Sequence, residues 1–120
     1  MLAEVRDVKQ HKNEYFRRWF TSPFFDLVVW FEDDRLINGF QLCYDKPDHE
    51  RALTWLKNKG FSHKQVDQGE EPGHYNMTPV LIANGLFEQE KIAARLLQEG
   101  QKIEPGIIQF VYQKILSFVD

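Results

Sequence analysis

Up to about residue 83 the apolar residues of this chain fall in short runs rich in aromatic and β-branched types. From residue 86 onward they recur at helical spacing instead. This change of period restricts the architecture, because a strand returns to the same face every second residue and a helix about every 3.6. Strands gathered first and helices gathered last define an α+β domain, with helices laid over one face of an antiparallel sheet.

The runs EYFRRWF (14–20), DLVVWFE (26–32) and RLINGFQLCY (35–44) are predicted strands, separated by TSPFF and by a tight turn at Asp33 and Asp34. Residues 48–60 carry two patterns. Asp48 ahead of Glu50, Ala52, Leu53 and Leu56, with Gly60 behind, has the form of a capped helix. Leu53, Thr54 and Trp55 followed by KNKG (57–60) and the alternating FSHKQV (61–66) have the form of a hairpin with a four-residue turn, and the hairpin is favoured. DQGEEPGHYN (67–76) reads as a long loop within one domain, and MTPVLIA (77–83) as a further strand.

Leu86, Phe87, Ala93, Leu96 and Leu97 share one helical face ahead of Gly100, so the first helix is expected over 86–99. Pro105 suits a first helical turn, and Ile107, Ile108, Val111, Ile115, Leu116 and Val119 form a stripe, so the second is expected over 104–119. A chain of 120 residues, 42% hydrophobic, is enough for one core. The expected fold is a single α+β domain over 1–120, an antiparallel sheet of about five to six strands covered on one face by two C-terminal helices.

A hairpin closed by Asp33 and Asp34 pairs Leu27 with Phe40, Val29 with Asn38 and Phe31 with Leu36. A second hairpin then sets Phe40 opposite Trp55 and Leu42 opposite Leu53. These rows are assigned to the core. The other face then carries Val28, Trp30, Ile37, Gly39, Gln41, Cys43, Thr54 and His63, with Asp26 at its edge and Arg17 or Arg18 arriving from the first strand. Carrying the register across places Asp26, Gln41, Thr54 and His63 in one lateral row. An apolar floor with convergent polar groups is the composition of a binding site, so the candidate set is Arg18, Asp26, Trp30, Gln41, Thr54 and His63. A one-residue change in any turn would scatter the row.

Other groupings are weaker. Cys43, His63 and Asp26 or Asp45 are residue types used in nucleophilic catalysis, but a lone cysteine is more often a packed thiol. His11, His49, His63 and His74 lack the spacings of a metal pair, and Asp48, His49 and Glu50 read as a solvated turn. The carboxylate pairs Asp33–Asp34 and Glu70–Glu71 also fall in turns, and Asn84 ahead of Gly85 reads as a helix cap. No cofactor and no metal is indicated.

The formal charge of −3 gives no positive field for a phosphate backbone, so nucleic acid is not an expected partner. Arg6, Lys9, Lys12, Arg17 and Arg18 do interleave with Tyr15, Phe16 and Trp19, but Glu4, Asp7 and Glu14 dilute that patch. The longest apolar runs fall far short of the roughly 20 residues of a membrane span, so no membrane association is expected. One cysteine permits no intrachain disulfide, and the charged first residues lack a secretory pattern, which together suit the cytoplasm.

The segment GFQLCYDK (39–46) continuing into ERALTW (50–55) resembles small bacterial proteins of unassigned function. That resemblance implies a bacterial cytoplasmic protein and brings no activity or site residues. The expected function is a noncatalytic binding or interaction domain whose open sheet face, centred on Trp30, meets a protein partner or a second copy of the chain. The alternative is a small-molecule binder or enzyme using the polar row, and the residues leave open whether the chain is an enzyme.

Overall fold

The computed structural model describes residues 1–33, 36–48, 50–65 and 87–118. Six strands, β1 (Ala3–Glu4), β2 (Phe16–Thr21), β3 (Phe25–Asp33), β4 (Leu36–Tyr44), β5 (Arg51–Leu56) and β6 (Gly60–Gln65), precede α1 (Gln89–Glu99) and α2 (Pro105–Ser117). They form one antiparallel sheet whose spatial order is the chain order, so each strand pairs with its sequence neighbours. The α+β architecture expected from the change of period is the one observed. Residues 51–60 form strand and turn rather than helix. The two-residue β1 is too short to carry any pattern a sequence reading could detect. The expected loop at 67–76, the strand at 77–83 and the cap at Asn84 lie outside the described residues, as do Glu70, Glu71, His49 and His74.

Local chemistry accounts for the turns. At the β2–β3 corner the Ser22 hydroxyl accepts the amides of Phe24 (3.2 Å) and Phe25 (3.0 Å), while the Ser22 amide donates to the Phe25 carbonyl (2.8 Å). A buried serine thereby satisfies backbone donors that a corner would otherwise orphan. The β5–β6 turn consists of only three residues, Lys57, Asn58 and Lys59. It closes through the Lys59 amide on the Leu56 carbonyl (3.0 Å), with Gly60 at φ +80° where a side chain would be strained.

The registers correct the expected pairings. In the β3–β4 hairpin Asp33 faces Leu36, Val29 faces Phe40 and Leu27 faces Leu42, so the turn is centred one residue later than at Asp33 and Asp34. Moving a hairpin's centre by one residue changes each partner by two, which leaves every side chain on its expected face. Two compensating bulges interrupt the alternation near that turn, with Asn38 the extra residue on β4 and Glu32 on β3. They bring Ile37 opposite Phe31, where it packs against the core instead of lying on the open face. The expected Phe40–Trp55 and Leu42–Leu53 pairs are both present.

The core lies between the sheet and the two helices. Phe20, Leu27, Val29, Phe40, Leu42 and Leu53 are fully buried beneath Ile92, Ala93 and Leu96 of α1 and Ile107, Ile108, Val111 and Ile115 of α2. Each large side chain so buried contributes roughly 1.5–3 kcal/mol. Leu116, expected on the apolar stripe, is exposed, since the step from buried Ile115 turns it outward.

The N-terminus is tied into the same layer by the Leu2 amide on the Glu99 carbonyl (2.9 Å). Arg18 adds a second tie, forming ion pairs with Glu4 (2.8 Å) and Glu104 (2.6 Å). Hydrogen bonding to Arg18 holds the Glu4 carboxyl below its ordinary range. Arg18 sits opposite Val29, on the helix-covered side, and is a structural clip rather than part of the open face.

Candidate functional site

On the side away from the helices the registers define three lateral rows. The first is Thr21, Asp26, Cys43, Ala52 and Lys64. The second is Trp19, Val28, Gln41, Thr54 and Ser62, and the third is Arg17, Trp30, Gly39, Leu56 and Gly60. Neither described helix packs on this side. Val28, Trp30, Gln41, Thr54 and Leu56 are half-exposed there, and Trp19 keeps 37% of its surface.

Of the six residues proposed from sequence, Asp26, Trp30, Gln41 and Thr54 share this face, and Arg18 and His63 do not. Gln41 donates from Nε2 to the Thr54 hydroxyl (3.2 Å), as lateral neighbours should. Asp26 stands one row away because the later centre of the β3–β4 turn pairs it with Cys43 instead of Gln41. His63 is displaced by the β5–β6 turn. Three residues there instead of four put Ser62 opposite Thr54 and turn His63 under the helices, opposite Leu53.

Several polar groups of the face are engaged with one another. The Asp26 carboxylate accepts from the Thr21 hydroxyl (2.6 Å), the Lys46 ammonium (3.0 Å) and, at longer range, the Trp19 indole (3.4 Å). Lys46 also donates to the Ser22 carbonyl (2.8 Å), which locks it across the β2–β3 corner. Sequence gave no signal for this clamp, because Lys46 reaches Asp26 only once β3 and β4 are paired. Arg17, on the third row, donates to the Lys9 carbonyl (3.0 Å) and lies 3.1 Å from the His11 ring. The Gln10 amide exchanges hydrogen bonds with the Arg17 backbone (2.8 and 2.9 Å), as a neighbouring strand would. The basic residue nearest the aromatics is therefore held by its own chain.

Cys43 is half-buried, and its thiol is pushed up to about 12 by burial first, then by the charges of Glu50 and Asp26, with Lys46 opposing. It is a thiol at neutral pH, with little thiolate to act as nucleophile. His63 projects from the other side of the sheet, so the two cannot form the dyad their residue types suggested. His63 instead lies within 2.6 Å of the Tyr44 hydroxyl and packs against Phe87 and Phe118. Burial foremost raises the Tyr44 phenol to about 12, so it remains protonated at neutral pH, and its hydroxyl shares a hydrogen bond with the imidazole Nε2. Among the described residues no three His, Cys, Asp or Glu side chains gather as metal ligands would. Among them, too, no helix is long and apolar enough to cross a membrane.

The third row opens at one end into a shallow depression of about 620 Å³ beside Trp30, lined by Asn13, Glu14, Tyr15, Asn38 and Leu56. Gly39 pairs with Trp30 beside it. A Cβ there would meet the Trp55 carbonyl oxygen at 2.6 Å and Leu56 Cδ2 at 2.7 Å, so its absence lets Leu56 lie across the strand beside Trp30. Tyr15, 47% exposed, extends the aromatic surface. Asn13, Tyr15 and Asn38 were missed because two precede β2 and the third is the bulge residue, positions without a strand period.

Fold and face together define an α+β domain with a helix-backed antiparallel sheet and an aromatic open side. Comparison with known proteins found no family model, no curated protein and no solved structure that matches the chain.

Proposed function

We propose that this protein is a noncatalytic interaction domain that binds a protein surface through the open side of its sheet, around Trp30. The observation that carries the reading is the state of that face: Tyr15 and Trp19 are exposed and Val28, Trp30 and Leu56 half-exposed, while Thr21, Asp26 and Lys46 are bonded to one another, as are Gln41 and Thr54. An enzyme needs a group free to exchange a proton or attack a substrate. Here Asp26 and Lys46 are clamped together and Cys43 is held as a thiol. Exposed tryptophan and tyrosine within a polar surround are instead the composition of an interface centre. A lone unoxidised cysteine suits a reducing compartment, and we assign the domain to the cytoplasm on that ground.

The test is a Trp30→Ala variant, checked for folding by circular dichroism, compared with the parent chain for self-association and for binding to each co-purifying protein remade in pure form. Loss of an association in the variant supports the reading. No association in the parent, or one that Trp30→Ala leaves intact, overturns it.

One observation favours small-molecule binding: the depression beside Trp30 falls within the roughly 300–1,000 Å³ of typical ligand pockets. A thermal-shift screen against metabolites separates the readings, since a ligand at 100 times its Kd adds about 2.7 kcal/mol of stability.

A further inference from the structure

We infer that the arm formed by residues 6–15 is an edge guard: Gln10 presents its carboxamide to β2 in place of a further strand residue and so closes that sheet edge to the strands of other chains. The inference is independent of the open face and of what binds there.

β1 covers only part of the β2 edge. It pairs Ala3 with Thr21 and Glu4 with Phe20, and the Val5 amide on the Trp19 carbonyl (2.8 Å) adds one more backbone bond. Beyond it Asp7 and Asn13 take left-handed φ values of 57° and 70°, which a regular strand does not contain. The next outward-facing peptide groups of β2 belong to Arg17, two residues from Trp19. Left open, such groups are where an extended chain adds to a sheet.

Gln10 occupies that position. Its Oε1 accepts the Arg17 amide (2.9 Å) and its Nε2 donates to the Arg17 carbonyl (2.8 Å), the two bonds that an opposing strand residue would make. Nε2 also donates to the Val8 carbonyl (3.3 Å), and Arg17 Nε to the Lys9 carbonyl (3.0 Å), which hold carboxamide and arm in place. A depression of about 700 Å³ lined by Val5, Val8, Gln10, Phe16 and Arg17 shows that the arm backbone does not lie along β2, so the side chain makes the closure.

The strand behind it has the composition that calls for a guard. Phe16 and Trp19 are 55% and 37% exposed, and the charge of Arg18 is taken up by Glu4 and Glu104. Gln10 is itself exposed, so water can replace its bonds with little loss of stability, and what the side chain adds is occupancy of the edge.

The test is Gln10→Ala set against the parent, so that any association through the Trp30 face is common to both. In dilute solution the variant should keep the parent's circular dichroism, while its Arg17 amide exchanges with solvent roughly tenfold faster by NMR. Gln10→Glu keeps an acceptor for that amide and should leave its exchange near the parent's rate. As concentration rises, sedimentation velocity should show Gln10→Ala associating beyond the parent, with the Arg17 amide protected again once a second strand replaces Gln10. Exchange at the parent's rate in Gln10→Ala, equally fast exchange in Gln10→Glu, sedimentation that matches the parent at every concentration, or association that leaves the Arg17 amide unprotected each overturn the inference.

Discussion

Replacing Tyr44 with Phe removes one oxygen from a buried polar contact beneath the helices. Tyr44 and His63 are 3% and 5% exposed, and the phenol lies 2.6 Å from the imidazole nitrogen with the rings stacked at 18°. Phenylalanine keeps the stacking and the contact with Phe87, so the loss is that of the hydroxyl's hydrogen bonds, to His63 and to Arg51. Removing one side of a buried hydrogen bond costs about 1–3 kcal/mol. For a domain of this size 1 kcal/mol corresponds to about 3–6 °C, so the melting temperature should fall by roughly 6–12 °C at the centre of that range. Urea denaturation read by tryptophan fluorescence should give the same loss with an unchanged m-value. The partner experiment uses His63→Phe as background. There the phenol has already lost the imidazole, so Tyr44→Phe should cost less than in the parent, and the cycle isolates the coupling. A loss below about 0.5 kcal/mol in the parent, or the same loss in both backgrounds, would refute the reasoning.

Gly39→Ala should destabilise by about 1–3 kcal/mol in a thermal melt, because the new Cβ cannot be placed without moving the Trp55 carbonyl; an unchanged melting temperature would contradict the packing described. Cys43 should alkylate slowly at pH 8, roughly 30-fold below an unfolded thiol once its higher intrinsic nucleophilicity partly offsets the lower thiolate fraction, which timed mass spectrometry with iodoacetamide will read. The same raised pKa makes a pH prediction. The folded chain holds its Cys43 proton to about 12 while the unfolded thiol releases it near 9.0, so the stabilisation is complete below pH 9 and declines as pH rises towards 12. Urea midpoints should show a shallower alkaline decline for Cys43→Ala than for the parent, and parallel curves would remove Cys43 from the account.

Element type and the facing of most side chains are local properties, legible in the residue pattern of each segment alone. Alternation in β3, β4 and β5 placed Leu27, Val29, Phe31, Phe40, Leu42 and Leu53 in the core, and that placement survived a hairpin centred one residue later than expected. The helical period likewise marked the faces of α1 and α2 that bury Leu96 and Ile115. Tertiary structure decided whatever depended on how neighbouring strands close onto one another. A turn of three residues instead of four sent His63 from the proposed row to the buried side, and paired bulges carried Ile37 after it. The pairing of β2 with β3 set Arg17, and not Arg18, beside Trp30. In each case the alternatives differ by a single residue of register. Alternation along one strand is the same in either register, and only contacts between strands distinguish them.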